Sequence, residues 1–204
     1  MNLSRKTISK LTYRLLVSIA GDIYFFIRFD LRRRLISESF NQYIEYKKYP
    51  YYLITGNAIS FCYEDARLYC IGKGIDVGGG AFGFPGARLV ENNQEENAMK
   101  ILENDNSLDY VFSSHCLEHL DKNAQSKFIS EASRCLKAGG IFYIYMPSIS
   151  ASQWDPKIMS AHKLITSTEE LIKECKGKRL NPLKIHSLTD SYLSKRLIFI
   201  KQDE

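Results

Sequence analysis

The sequence predicts an α/β fold: a mostly parallel sheet with a C-terminal antiparallel hairpin strand, preceded by an N-terminal helical extension. Three observations carry this. A short apolar run, Gly74-Ile75-Asp76-Val77, enters the cluster Gly78-Gly79-Gly80-Ala81-Phe82-Gly83; a strand running into glycines makes a tight turn where a ligand can approach the backbone. From Gly74 onward strand-like and helix-like segments alternate, as in a parallel sheet. Ile141 to Met146 is an unbroken apolar and aromatic run closed by Pro147, which suits a central strand buried on both faces.

At 204 residues the chain has room for one α/β domain with an appendage. Its 45% apolar and 25% charged content is that of a globular protein and excludes a multispan membrane protein or a disordered chain. The net charge of +5 is concentrated before residue 50 and between Lys173 and Lys184. So mild a surplus does not demand nucleic acid, and no nucleic-acid partner is expected. Cys62, Cys70, Cys116, Cys135 and Cys175 are odd in number and scattered, without a Cys-x-x-Cys pair. Reduced thiols in a cytoplasmic protein are the expectation. The apolar run 15–27 is interrupted by Ser18 and Asp22 and lacks a clean cleavage site, which argues against a secretory signal.

Residues 1 to about 48 read as helical, with Leu11, Leu15, Ile19, Ile23, Ile27, Leu31 and Leu35 at every fourth position and Arg5, Lys6, Lys10, Arg14, Arg28 and Arg32 beside them. A basic amphipathic stripe of this kind either packs on protein or lies on an anionic membrane at the inner face as an interfacial helix. Asp22 and Arg28 exclude a comfortable span. Tyr49-Pro50-Tyr51-Tyr52 and Thr55-Gly56-Asn57 mark a linker, which divides the chain into an extension over 1–57 and a main domain over 58–204.

In the main domain a helix is expected from Ala58 to Tyr69, then strands at Gly74 to Val77, Ala87 to Val90 and Leu108 to Phe112. Only the nine residues 78–86 separate the first two strands, fewer than the roughly 10–12 that a crossover helix and its loops need. The first helix is therefore reduced to a turn. Asp121 is the expected N-cap of a helix burying Ala124, Phe128, Ile129, Ala132, Cys135 and Leu136, with Lys137 in its last turn and Gly139-Gly140 to stop it. Thr168 to Lys176 reads as a further helix, and Ile185 to Leu188 with Leu197 to Lys201 as a strand pair at the sheet edge. From Gly74 on, this arrangement is Rossmann-like.

The glycine loop discriminates between ligands through Asp76. A dinucleotide places its pyrophosphate on backbone N–H groups at a helix N-terminus, where a nearby carboxylate repels it. S-adenosylmethionine carries no phosphate and offers an ammonium and a sulfonium instead, so Asp76 suits it better. Gly78-x-Gly80-x-x-Gly83 satisfies the dinucleotide pattern, but Glu91 follows Gly83 too closely for that fingerprint, which has a whole helix in between.

Over about residues 71–150 the chain resembles the class I SAM-dependent methyltransferases, in particular the small type 11 domain. The likeness rests on Asp76-x-Gly78-x-Gly80, on Asp105-Asn106-Ser107-Leu108-Asp109-Tyr110-Val111-Phe112-Ser113-Ser114-His115-Cys116-Leu117-Glu118-His119-Leu120, and on Arg134-Cys135-Leu136-Lys137-Ala138-Gly139-Gly140 followed by a strand and Pro147. The resemblance implies that Asp76, Gly78 and Gly80 hold the methionine portion of the cofactor and that Glu91 accepts from the ribose hydroxyls. It also implies that Asn97, with Ala98, faces the adenine amino group through an amide oxygen, and that Ser114 and His115 line the pocket near the sulfonium. The segment between Glu91 and Asp105 is too short for a full helix plus strand, which leaves the adenine side more open than usual.

Methyl transfer from SAM needs alignment, desolvation and, for a hydroxyl acceptor, removal of a proton. Histidine is the natural base near neutral pH. The loop after the central strand carries Trp154 and His162. They are the candidates for an acceptor platform and a base, with His115 as a second catalytic candidate; the other reading is a capped loop with a partly buried tryptophan. The expected activity is methylation of a hydroxyl on a small-molecule or glycan-type acceptor, as in surface-polysaccharide pathways. Two alternatives from other classes remain open: a catalytically silent SAM-binding scaffold, and a zinc hydrolase built on the literal His115-Cys116-Leu117-Glu118-His119. The zinc pattern belongs on a long helix, whereas this one directly follows a strand, so no metal is expected.

Overall fold

The computed structural model describes residues 58–80 and 83–203. The amphipathic stripe and linker read from residues 1–57 lie outside them. Helix α1 (Ala58–Ala66) precedes strands β1 (Gly74–Val77), β2 (Arg88–Val90) and β3 (Leu108–Ser114). Helix α2 (Lys122–Cys135), strand β4 (Leu136–Pro147), helix α3 (Thr168–Lys176) and strands β5 (Leu180–Ile185) and β6 (Ser194–Lys201) complete the order. The sheet runs β2-β1-β3-β4-β6-β5. The pairs β1–β2, β1–β3 and β3–β4 are parallel, whereas β6 lies antiparallel between β4 and β5. The fold class is the expected one.

Every residue of β1 is buried, which is why this strand carries no exposed polar face. Gly74 is dictated by packing, since a Cβ there would come within 2.4 Å of the Tyr110 ring on β3. The β1–β2 connection is a turn in its described part, as the nine-residue spacing demanded. Helix α2 starts where Asp121 Oδ1 accepts the Ala124 N–H at 2.9 Å. It buries Ala124, Phe128, Ile129, Ala132 and Cys135 at helical spacing. Helix α3 is capped in the same way by Ser167, with Glu169 and Glu170 in its first turn and Lys173 and Lys176 in its last, each sign placed to suit the helix dipole.

Three of the boundaries that differ from the sequence reading have a clear physical cause or consequence. Lys137 is not in the last turn of α2 and Gly139-Gly140 do not stop it, because Leu136 already pairs with Leu108 on β3. The glycines sit inside the long strand instead, where Gly139 adopts φ +74°. The penultimate strand is Leu180–Ile185 rather than Ile185 to Leu188, and Leu188 is 82% exposed. Pro182 is tolerated there because β5 is the edge of the sheet. Helix α1 ends at Ala66, three residues short of Tyr69.

The short stretch between β2 and β3 has no helix, so its polar backbone is satisfied by side chains. Arg88 grips Glu96 through two bonds of 2.7 and 2.8 Å, and Glu96 in turn accepts the Leu102 N–H. From α2, Arg134 donates to the carbonyls of Ile101 and Glu103, and Glu131 accepts the Ile101 N–H. Among the described residues no helix is long and apolar enough to cross a membrane.

Candidate active site

In an open parallel sheet a ligand binds beyond the carboxyl ends of the strands, where the strand order reverses. Here β1 has β2 on one side and β3 on the other, so that point lies between the loop after β1 and the loop after β3. A cavity of about 290 Å³ opens there, lined among others by Val77, Gly78, Asn97, Ala98, Cys116, His119 and Lys163.

Gly78 leaves β1 at φ +82° and donates its N–H to Val90 O on β2 at 2.9 Å. A Cβ on Gly78 would meet Cys116 Sγ at 2.7 Å. Asp76, fully buried, lies beneath the loop: Oδ2 accepts the Phe84 N–H at 2.7 Å, and a Cβ on Gly79 would come within 2.4 Å of the same oxygen. Its Oδ1 is buried with no hydrogen-bond partner among the described residues. Burial pushes the carboxyl up to about 7; the Phe84 N–H opposes that shift and the Glu91 carboxylate adds to it. Half-buried Glu91 follows β2 directly. Asn97 lines the cavity, but its Oδ1 accepts the Met99 N–H at 2.9 Å. That bond uses one of the two lone pairs of the amide oxygen and leaves the other, with the NH2 group, to face a ligand.

At the end of β3, Ser114 Oγ is buried without a hydrogen-bond partner among the described residues. His115 turns the chain at φ +50°, its N–H bonded to Tyr145 O at 2.8 Å. His115 Nε2 lies 2.9 Å from Ser194 Oγ, which also lies 3.2 Å from Tyr192 O. The other ring nitrogen, Nδ1, lies 3.0 Å from Glu118 Oε1. Residues Leu117–His119 form a single 3-10 turn. The two histidines of the zinc-like pattern are thus not on one helical face.

The structure brings Glu118 and His119 together with His162, which comes from the loop after β4. That loop is stitched to the turn: Lys163 N donates to Glu118 O at 2.7 Å, and the buried Gln125 amide donates to the carbonyls of Leu117, Leu120 and Leu164. Trp154 and His162 do not line the cavity. Trp154 is 9% exposed with its indole N–H on Tyr192 O, and His162 is 5% exposed. Both are packed behind the wall: His115, Trp154 and Tyr192 meet edge to face or tilted with ring centres 5.1 to 5.3 Å apart, and the His162 ring lies 5.9 Å from that of Trp154. His119 and Lys163 reach the cavity instead. Sequence reading missed Gln125, a polar residue on the buried face of α2 whose place beside Ala124 was its one signal.

Residues 60–144 match the family model described as a methyltransferase domain. This region is a methyltransferase domain. The class to which it belongs uses S-adenosylmethionine as cofactor. A SAM-dependent methyltransferase from Thermotoga maritima has the same fold, with a TM-score of 0.55 at 17% identity over 80% of this chain and 99% of that one. So does a SAM-dependent methyltransferase from Archaeoglobus fulgidus, with a TM-score of 0.54 at 16% identity over 68% and 90%. No curated protein matches the chain.

The residues of the methyltransferase domain fit a cationic, phosphate-free cofactor. A buried carboxylate oxygen without a partner is costly unless positive charge approaches it, and Asp76 Oδ1 is such an atom. Among the described residues nothing lies within 4 Å of where a Cβ on Gly80, at φ +67°, would stand.

Proposed function

We propose that the methyltransferase domain methylates a hydroxyl of a small-molecule or glycan-type acceptor. S-adenosylmethionine supplies the methyl group and its own leaving group, so the protein's share is to exclude water, align the acceptor and deal with the hydroxyl proton. The observation that carries this reading is the cluster of Glu118, His119 and His162 at the cavity wall, backed by His115. An amine acceptor arrives with a lone pair once neutral, whereas a hydroxyl needs a group that manages its proton as the methyl moves. His119 is the member of the cluster that reaches the cavity, with His162 behind it and His115 holding Glu118 from the other side. Asp76, Gly78, Gly80, Glu91, Asn97 and Ser114 form the cofactor side of this reading.

A panel of hydroxyl and amine acceptors incubated with methyl-labelled SAM tests it. Label is expected on oxygen, and Glu118→Gln is expected to lower kcat by about 10²–10⁴, the range of general acid–base catalysis, with cofactor affinity retained. Label on nitrogen alone, or unchanged turnover in that variant, refutes the hydroxyl reading.

A further inference from the structure

We infer that Glu118, His119 and His162 form a binding site for one divalent transition-metal ion of the zinc class. It concerns the cluster just described but does not depend on the acceptor. The argument is about lone pairs. His162 Nδ1 lies 2.7 Å from Trp154 O and His119 Nδ1 lies 2.9 Å from Ala161 O. A carbonyl can only accept, so both Nδ1 atoms carry the proton and both Nε2 atoms present lone pairs. This tautomer, with Nδ1–H held by a backbone carbonyl, is the arrangement that fixes and orients metal-binding histidines.

The two rings lie 5.0 Å apart, edge to face, and the carboxylate of Glu118 has an oxygen within 4.8 Å of a ring nitrogen of each. It is 0% exposed, and neither oxygen has a hydrogen bond among the described residues. Its nearest polar neighbours are His162 Nε2 at 3.9 Å and His115 Nδ1 at 3.0 Å from Oε1. Two Nε2 lone pairs thus lie beside a buried carboxylate, an arrangement that a cation resolves.

Two imidazoles and one carboxylate are a borderline donor set, suited to zinc or a neighbouring first-row ion and not to calcium or magnesium, which prefer oxygen. The three ligand atoms lie within 4.8 Å of one another. A tetrahedral ion with bonds of about 2.0–2.1 Å holds its ligands roughly 3.4 Å apart, so side-chain rotation suffices to close the site. His119 is exposed to the cavity and leaves the ion a face open to an exogenous ligand, as in catalytic rather than structural zinc sites. The two histidines lie 43 residues apart in the chain, and the site exists only because Lys163 N and the Gln125 amide pin the second loop to the 3-10 turn.

The experiment uses the untagged full chain, stripped with a chelator and titrated with Co(II) in the absence of SAM and acceptor, read by visible absorption and by competition with Zn(II). One equivalent is expected to bind with the intense d–d bands of a low-coordinate ion. His162→Ala and Glu118→Gln are each expected to weaken binding by more than the roughly 10–100-fold that loss of an outer-shell partner costs. Should either buried variant fail to fold, His119→Ala, at an exposed position, gives the same readout. Absence of stoichiometric cobalt overturns the site, as does binding indifferent to the three substitutions. An imidazolium signal from His162 in the stripped protein that survives added Zn(II) overturns it too, since the charge on Glu118 is then met by a proton. None of these results bears on the methyl acceptor, which the labelled-SAM panel reads separately.

Discussion

At Gly78 two constraints coincide. The backbone is in the left-handed region at φ +82°, and a Cβ would meet Cys116 Sγ at 2.7 Å and Cys116 Cβ at 2.9 Å. The first constraint costs an L residue about 1–2 kcal/mol whatever surrounds it, whereas the second depends on the neighbour. Gly78→Ala is expected to lose about 2–3 kcal/mol in urea unfolding from strain and overpacking together. Adding Cys116→Ala should restore less than half of that, because the 116 Cβ and the backbone strain remain. Full recovery in the double variant shows that the φ angle carries no cost here. Cys116 itself is inert as a nucleophile, since burial pushes its thiol up to about 12. Its contribution is its volume, against the glycine that opens the cofactor loop.

The elements of the sheet were legible because each rests on local pattern. Gly74–Val77, the Asp121-capped helix and Thr168–Lys176 follow from apolar spacing and capping residues that act within a turn or two. What misled was punctuation. Gly139-Gly140 looks like a helix stop, but cross-strand pairing of Leu136 with Leu108 takes the chain into the sheet first, and pairing is a long-range fact. The cluster around Glu118 was illegible for the same reason: its pieces lie on a turn and on a distant loop, joined by a buried amide. Gln125 is that joint, 3% exposed, donating to the carbonyls of Leu117, Leu120 and Leu164 and accepting from the Thr166 hydroxyl. Gln125→Leu keeps the volume and the helix propensity but leaves those groups unpaired. An unmet buried polar group costs about 1–3 kcal/mol, so a loss of at least about 2 kcal/mol in urea unfolding is expected. Hydrogen exchange should rise selectively at Lys163 and Leu164, whose N–H groups bond to Glu118 O. Uniform exchange across the domain shows instead that Gln125 supports only α2.

For the molecule as a whole, the loop after β1 and the cluster after β3 lie on either side of one switch point, and Asp76 couples that site to overall stability. Its folded-state carboxyl is raised from 3.8 to about 7, mainly by burial. A carboxyl raised on folding binds its proton more tightly in the native state, so the native state gains nothing from ionisation and loses stability as pH rises from about 4 to about 7. At about 1.4 kcal/mol per unit the loss is on the order of 4 kcal/mol, fully expressed above pH 7 and absent below about pH 4. Asp76→Asn removes that slope and should be more stable than the wild type at pH 8, measured by urea unfolding at both ends of the range. A cationic cofactor approaching Oδ1 favours the ionised form, so SAM affinity should rise by up to about tenfold per pH unit between pH 5 and 7 and then level off. At about 100 times the dissociation constant the ligand adds about 2.7 kcal/mol to stability. For a chain of this size that is a rise of roughly 5–10 °C in Tm at pH 7.5, and the rise should shrink toward pH 5 in the wild type but not in Asp76→Asn. A thermal shift equal at both pH values in the wild type shows that Asp76 serves the Phe84 turn alone and leaves the cofactor's charge to other groups.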